Sequence, residues 1–135
     1  MKDMPLKSLV FNIKQMLTKD FALQFAAVWV AAWNAHDLEE ILSHYTDDFE
    51  IESPLALKRF PESKGILKGK TAIRKYWGIG LQKNPNLKFE IKEVLIGVHT
   101  LTIYYRSIAA QKNVVEILTF GEKGKVEKVV VCYSS

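Results

Sequence analysis

Four consecutive strand-like segments fill the second half of the chain, and they follow a first half whose apolar residues recur at helical spacing. The segments are rich in β-branched and aromatic residues and are separated by short polar turns. They cover residues 87–96, 98–108, 114–120 and 126–133. Helices first and an antiparallel meander afterwards predict an α+β fold, in which the helices cover one face of the sheet.

Three helices are predicted ahead of this meander. Thr18 is placed to cap the first helix, which runs to about Ala35. Asp37, with Glu40 three residues later, resembles a capping box and begins a second, short helix. The third helix spans about residues 71–82, and an Asn-Pro-Asn sequence ends it.

The region between the second and third helices combines a short strand with a basic loop. The strand is predicted at residues 49–53, after a turn at residues 46–48. Residues 55–70 are predicted to form a loop. The cations of residues 58–75 are interpreted as a solvated loop and helix face, because this stretch lacks the interleaved aromatic residues of a single-strand nucleic-acid binder. Nucleic acid is therefore not expected as a partner.

Length and composition predict one ordinary domain over residues 1–135, with residues 1–17 as an N-terminal helical extension. Hydrophobic residues make up 48% of the chain and charged residues 25%, which excludes disordered and fibrous classes. No apolar run approaches the roughly 20 residues that a membrane span needs, and no secretory signal is evident. We therefore expect a cytoplasmic protein without a membrane partner. The single cysteine, Cys132, excludes an intrachain disulfide and is predicted to be buried.

The segment YTDDFEIESP at residues 45–54 resembles the SnoaL-like branch of the nuclear transport factor 2-like (NTF2-like) superfamily. The resemblance extends over most of the chain, except the first 17 or so residues and the loop at 55–68. It also includes WNAHDL at 33–38, GKTAI at 69–73, YYR at 104–106, VEILTF at 115–120 and GKV at 124–126. The resemblance implies a cone in which about three N-terminal helices pack on a curved, mostly antiparallel sheet and enclose a pocket.

The superfamily implied by this resemblance includes ketosteroid isomerases, polyketide cyclases and members that only bind a ligand or another protein. The isomerases use a carboxylate base, a tyrosine and a protonated acid. By the resemblance, these roles fall on Ser53, Trp29 and Glu116. A serine is not a base at neutral pH without an activating partner, and an indole N–H donates but cannot accept. The isomerase mechanism is therefore not expected.

Glu116 is the most suggestive candidate for catalysis, because it alternates with Val114, Leu118 and Phe120 on an apolar strand face. A buried carboxylate must be paired, protonated or solvated in a pocket. One interpretation is an acid or base with a raised pKa. The alternative is a structural ion pair, with Arg106 as the candidate cation across the hairpin.

Arg106 is the second predicted catalytic residue, and its relation to Glu116 depends on the register of the hairpin. Residues that lie opposite in an antiparallel pair share a face, so Glu116 meets either Tyr104 and Arg106 or Tyr105. In the first register a Tyr–Glu–Arg cluster lines the pocket, and Arg106 clamps a carboxylate or enolate of the substrate. The loop length does not decide between the two registers.

Ligand-binding residues are expected among the aromatic side chains and at the pocket mouth, where the resemblance places Ser53. Aromatic residues at helical spacing form core as well as ligand walls. Both roles are therefore open for each of Trp29, Trp33, Tyr45, Tyr76 and Trp77. The predicted ligand-binding residues are Trp29, Trp33, Tyr45, Ser53, Trp77, Tyr104, Tyr105 and Leu118.

No cofactor is predicted. His36, His44 and His99 lack the spacing of metal ligands such as H-x₃-H, so no metal site is expected. The glycines of residues 65–71 are one residue too close for a phosphate-binding P-loop, which needs four residues between its glycines. Nucleotide hydrolysis is therefore rejected.

Besides an anion- or nucleic-acid-binding role for the cations of residues 58–75, the sequence supports two hypotheses of different classes. In the first, the chain binds a small, largely apolar organic molecule in an aromatic-lined pocket and catalyses proton transfer of the isomerase, cyclase or lyase type. In the second, it is a non-catalytic ligand-binding or protein-interaction module. In both, the resemblance and the apolar strand residues predict a homodimer that forms through the outer face of the sheet.

Overall fold

The first two helices begin at the residues that the sequence indicates. The structure, a computed structural model, describes residues 16–135, so the predicted N-terminal extension lies almost entirely outside the described residues. Helix α1 (Lys19–Asn34) begins where the Thr18 hydroxyl accepts a hydrogen bond from the Phe21 amide at 3.1 Å. Helix α2 (Leu38–Leu42) begins where the Asp37 carboxylate accepts one from the Glu40 amide. Each cap satisfies an amide that has no partner within its helix.

The segment predicted as a basic loop contains regular structure, so that prediction is wrong. Helix α3 (Pro54–Arg59) begins with proline, whose missing N–H is no loss in a first turn. A 3₁₀ turn (Pro61–Ser63) and a short strand, β2 (Ile66–Lys68), follow it. Helix α4 (Lys70–Lys83) then runs through both of its glycines.

The turn predicted at residues 46–48 is also wrong, because strand β1 (Tyr45–Glu52) runs through it. The polar residues there are accommodated by a register shift against the neighbouring strand, between Tyr45 and Glu50. Bulges of this kind let a strand absorb a sequence that would otherwise form a turn.

Six strands form one sheet in the order β2-β1-β6-β5-β4-β3. The four remaining strands are β3 (Phe89–Ile96), β4 (Thr100–Ser107), β5 (Lys112–Phe120) and β6 (Val126–Tyr133). All neighbours are antiparallel except β1 and β6, which are parallel. The sheet and the helices on one of its faces confirm the predicted α+β fold with a mostly antiparallel sheet.

The core lies between α1, α4 and the inner face of the sheet, where every second residue of β4 and β5 is buried. An aromatic cluster occupies its centre. The ring of Phe89 lies 4.4 Å from that of Tyr105 and 5.5 Å from that of Trp33, between centroids. The Trp29 indole N–H donates to the Tyr45 hydroxyl at 3.0 Å, so the two buried polar groups satisfy each other.

Two further sequence features are decided by the structure. Cys132 is exposed, because its neighbour Val131 takes the inward position of β6, so the prediction of a buried cysteine is wrong. Within residues 16–135, no helix combines the length and the apolar character needed to cross a membrane.

Candidate functional site

A cavity lies between α4, α3 and the inner face of the sheet. Its inner chamber has a volume of about 90 Å³, and polar groups of Ser53, Tyr76 and Glu116 are part of its wall. An adjoining chamber of about 240 Å³ extends toward the β4–β5 hairpin. The two chambers share Arg59 and Tyr105 among their lining residues. Apolar walls with a few convergent polar groups are typical of sites for small organic molecules.

Glu116 lies on β5, and strand alternation turns its side chain inward between Val114 and Leu118. The residue is only 6% exposed. The Tyr105 hydroxyl donates a hydrogen bond of 2.6 Å to its Oε2 atom. Within residues 16–135, none of the ion pairs includes Glu116. The carboxyl group is therefore held by a phenol rather than by a cation.

Burial raises the pKa of Glu116 to about 7, and the hydrogen bond from Tyr105 partly opposes this rise. Burial and the nearby carboxyl group also raise the pKa of Tyr105 well above its ordinary value. Tyr105 therefore stays protonated at neutral pH and acts as a donor. A carboxyl group that titrates near neutral pH can both accept and release a proton, which is what general acid–base chemistry requires.

Of the two registers that the loop length left open, the hairpin has the one that places Tyr105 beside Glu116, so the Tyr–Glu–Arg cluster does not form. Ile103 lies opposite Glu116, and Arg106 lies opposite Asn113. Arg106 donates to the Asn113 side chain at 3.2 Å on the outer face of the sheet, and Tyr104 shares that face. A strand turns successive side chains to opposite faces, so neither Arg106 nor Tyr104 reaches the cavity beside Glu116.

The structure divides the other predicted ligand-binding residues into two groups. Trp33, Ser53, Trp77 and Tyr105 line the inner chamber together with Glu116. The other three are core residues beneath the wall, each no more than 1% exposed: Trp29, Tyr45 and Leu118. These three side chains line neither chamber.

The cavity also includes Tyr76, which was expected in its wall or in the core beneath it, and polar residues that were not predicted to bind a ligand, among them Tyr133 and Arg59. The Tyr76 hydroxyl lies 3.2 Å from the Ser53 hydroxyl, and Tyr133 lines both chambers. Burial raises the pKa of both phenols, for Tyr133 even though the residue as a whole is 38% exposed. Arg59, in the segment predicted as a loop, also lines both chambers. It belongs to the basic stretch at residues 58–75, whereas no local pattern pointed to Tyr133.

The chemistry of this site is that of carboxyl, phenol and guanidinium groups. Among residues 16–135, no three His, Cys, Asp or Glu side chains are grouped so that they could hold a metal ion. Groups of this kind can move a proton and can stabilise a negatively charged oxygen on a ligand.

Comparison with known proteins identifies the family of this chain. The profile of the SnoaL-like domain matches residues 26–129. A SnoaL-like protein of unknown function from Burkholderia thailandensis is 40% identical, with a TM-score of 0.85, over 89% of this chain and 99% of its own. No curated protein matches the sequence.

Two more distant structures share the fold. A protein of unknown function with a cystatin-like fold from Methylobium petroleophilum is 12% identical, with a TM-score of 0.70, over 89% of this chain and 80% of its own. TerC, which was co-crystallised with polyporic acid, is 14% identical, with a TM-score of 0.66, over 84% of this chain and 92% of its own. The family profile and the B. thailandensis relative show that this chain belongs to the SnoaL-like family of the NTF2-like superfamily.

Proposed function

We propose that this protein binds a small, largely apolar organic molecule in the two-chambered cavity and catalyses proton transfer with Glu116. One observation carries the proposal. A buried carboxyl group with a pKa of about 7 lies in the wall of an aromatic cavity, where a phenol and not a cation holds it. An ion pair would have indicated a structural role instead.

In this mechanism the Glu116 carboxylate removes a proton from a carbon next to a carbonyl group of the ligand. Tyr105 holds Oε2, and no hydrogen bond from the described residues occupies Oε1, so Oε1 is the atom that takes the proton. Tyr76 and Tyr133 remain protonated at neutral pH because burial raises the pKa of each. Either phenol donates to the oxygen on which negative charge develops. Glu116 then returns the proton to another position of the ligand, as in an isomerisation or a ring closure.

The comparison with TerC supports the first part of the proposal. That protein was co-crystallised with an organic acid, polyporic acid, and shares its fold with this chain at 14% identity. An aromatic cavity in this fold is thus a reasonable site for an organic molecule. The choice of ligand comes from the side chains of each cavity, since one fold carries many functions.

The test is a thermal-shift screen of apolar acids, lactones, terpenoids and polyketide-like aromatics, followed by hydrogen exchange of each hit in D₂O. We expect wild type to exchange a hydrogen next to a carbonyl group of at least one hit. Glu116→Gln is expected to bind that hit with similar affinity and to exchange it ~100-fold more slowly or worse. Glu62→Gln, at an exposed carboxylate, is the control. Exchange at the wild-type rate by Glu116→Gln would exclude Glu116 as the base.

We further propose that the protein forms a homodimer through the outer face of the sheet. Val115, Ile117 and Val130 form a continuous apolar strip there, since Ile117 lies opposite Val130 in the β5–β6 pair. All three are only partly buried within the chain. Light scattering at micromolar concentration is expected to give twice the mass of the 15.4 kDa chain. A monomeric mass would contradict the proposal and would also remove the main support for an interaction module.

A further inference from the structure

Arg59 lies at the cavity, and it has no carboxylate partner among the residues that the structure describes. It ends helix α3 and lines both chambers. Its guanidinium carbon lies 5.9 Å from the centre of the Tyr76 ring, a distance at which a cation is attracted to an aromatic face. Within residues 16–135, the ion pairs do not include Arg59, whereas Arg74 on α4 has Glu39 at 2.7 Å. The positive charge of Arg59 is therefore available to a ligand.

Gly80 makes room for this guanidinium against helix α4. A Cβ atom at Gly80 would lie 3.2 Å from Nη1 of Arg59, closer than side chains normally approach. Glycine inside a helix destabilises it relative to alanine, so its presence here calls for a reason in the surroundings. The glycine and Arg59 both line the inner chamber, so the space that the missing side chain leaves is the space that the guanidinium uses.

The charge of Arg59 also acts on the phenols of the cavity. Burial raises the pKa of Tyr76 and of Tyr133, and in both cases the charge of Arg59 opposes part of that rise. A charge that stabilises a phenolate in this cavity also stabilises another oxygen anion there. An arginine additionally offers two parallel N–H donors, which match the two oxygens of a carboxylate.

We propose that the ligand is an apolar carboxylic acid and that Arg59 binds its carboxylate. The apolar body of the ligand contacts the aromatic wall at Trp33, Trp77 and Phe89, while the carboxylate faces the guanidinium. This inference rests on the proposed function, because it specifies the class of molecule that the same cavity takes. It assigns to Arg59 the anion-binding role that the sequence predicted for Arg106.

The test compares two probes of nearly equal shape, 2-naphthoate and 2-naphthamide, by isothermal titration calorimetry. Wild type is expected to bind the acid more tightly than the amide. Arg59→Met is expected to weaken binding of the acid by about tenfold or more, which is the range of a charged two-point hydrogen bond. The affinity of this variant for the amide is expected to change little. Lys58→Met, which removes an exposed neighbouring cation, is the matched control and is expected to leave both affinities unchanged.

A second variant keeps Arg59 and moves it. Gly80→Ala places a methyl group against the guanidinium, so it is expected to weaken binding of the acid and not binding of the amide. Alanine itself is favourable in a helix. This variant decides the question if Arg59→Met does not fold.

The outcomes separate the two proposals. If acid and amide bind wild type equally and Arg59→Met changes neither, the assignment of Arg59 is overturned and the cavity keeps its proposed function. If Lys58→Met weakens binding of the acid as much as Arg59→Met does, general surface charge explains the effect and the assignment of Arg59 is also overturned. If neither probe binds wild type, both proposals lose their support.

Discussion

Replacing Glu116 by glutamine is expected to stabilise the protein by about 3 kcal/mol more at pH 8 than at pH 4. The pKa of Glu116 is about 7 in the folded protein, against an ordinary value of 4.5. Between these values the folded state binds more protons than the unfolded state, so the free energy of unfolding falls as pH rises from about 4.5 to 7. The difference corresponds to about 3 kcal/mol. Glutamine carries no charge at any pH and removes this loss.

Urea denaturation of both proteins at pH 4 and pH 8 gives the measurement, because the difference between the two chains cancels the titration of other groups. Glu62→Gln is the control, and its difference from wild type is expected to vary much less with pH. Tyr105→Phe removes the hydrogen bond that lowers the pKa of Glu116, so the loss of stability is expected to extend to higher pH. If the free energy of unfolding changed with pH equally in wild type and in Glu116→Gln, the carboxyl group of Glu116 would have its ordinary pKa.

Trp29→Ala is expected to lower the free energy of unfolding by about 3–5 kcal/mol, the range for truncating a buried large aromatic residue. Trp29 is 1% exposed and packs against Trp33, Phe89 and Tyr105. Its removal leaves a cavity and takes the donor from the buried Tyr45 hydroxyl. Urea denaturation without any ligand measures this effect.

Val28→Ala is the control for this substitution, since Val28 lies one position earlier on α1 and is 40% exposed. It is expected to cost well under 1 kcal/mol. A loss of less than 1 kcal/mol for Trp29→Ala would mean that the indole packs loosely and would reopen the ligand-binding role that the sequence predicted for it.

The sequence predicts those parts of this fold that depend on local physics. Thr18 and Asp37 cap helices because their side chains accept hydrogen bonds from amides three residues later, and that relation is visible in the sequence. The inward position of Glu116 follows in the same way from the alternation of β5. The local pattern at residues 46–48 is misleading, because β1 pairs with β6 both before and after these residues, at Tyr45 and Glu50, and this pairing overrides their turn preference.

The parts of the site that escaped prediction depend on tertiary structure. The partner of Glu116 is set by the register of the β4–β5 hairpin, and a change of one residue exchanges Tyr105 for Tyr104 and Arg106. Arg59 reaches the cavity only because a short helix replaces the predicted loop. Tyr133 reaches the cavity from strand β6. It lies too far along the chain from the helical site residues for a periodic pattern to connect them.

The position of β6 between β1 and β5 has a consequence for the order of events during synthesis. Within the described residues, the two parts of the sheet, β2-β1 and β5-β4-β3, are joined through β6, which is synthesised after the other five strands. Until it arrives, β1 and β5 each present an unpaired edge, and the wall that contains Glu116 lacks Val131 and Tyr133. Long-range pairings of this kind fold slowly, in milliseconds to seconds. The nascent chain therefore passes through a stage with open strand edges and an incomplete cavity, and exposed edges of this kind make a chain prone to aggregation.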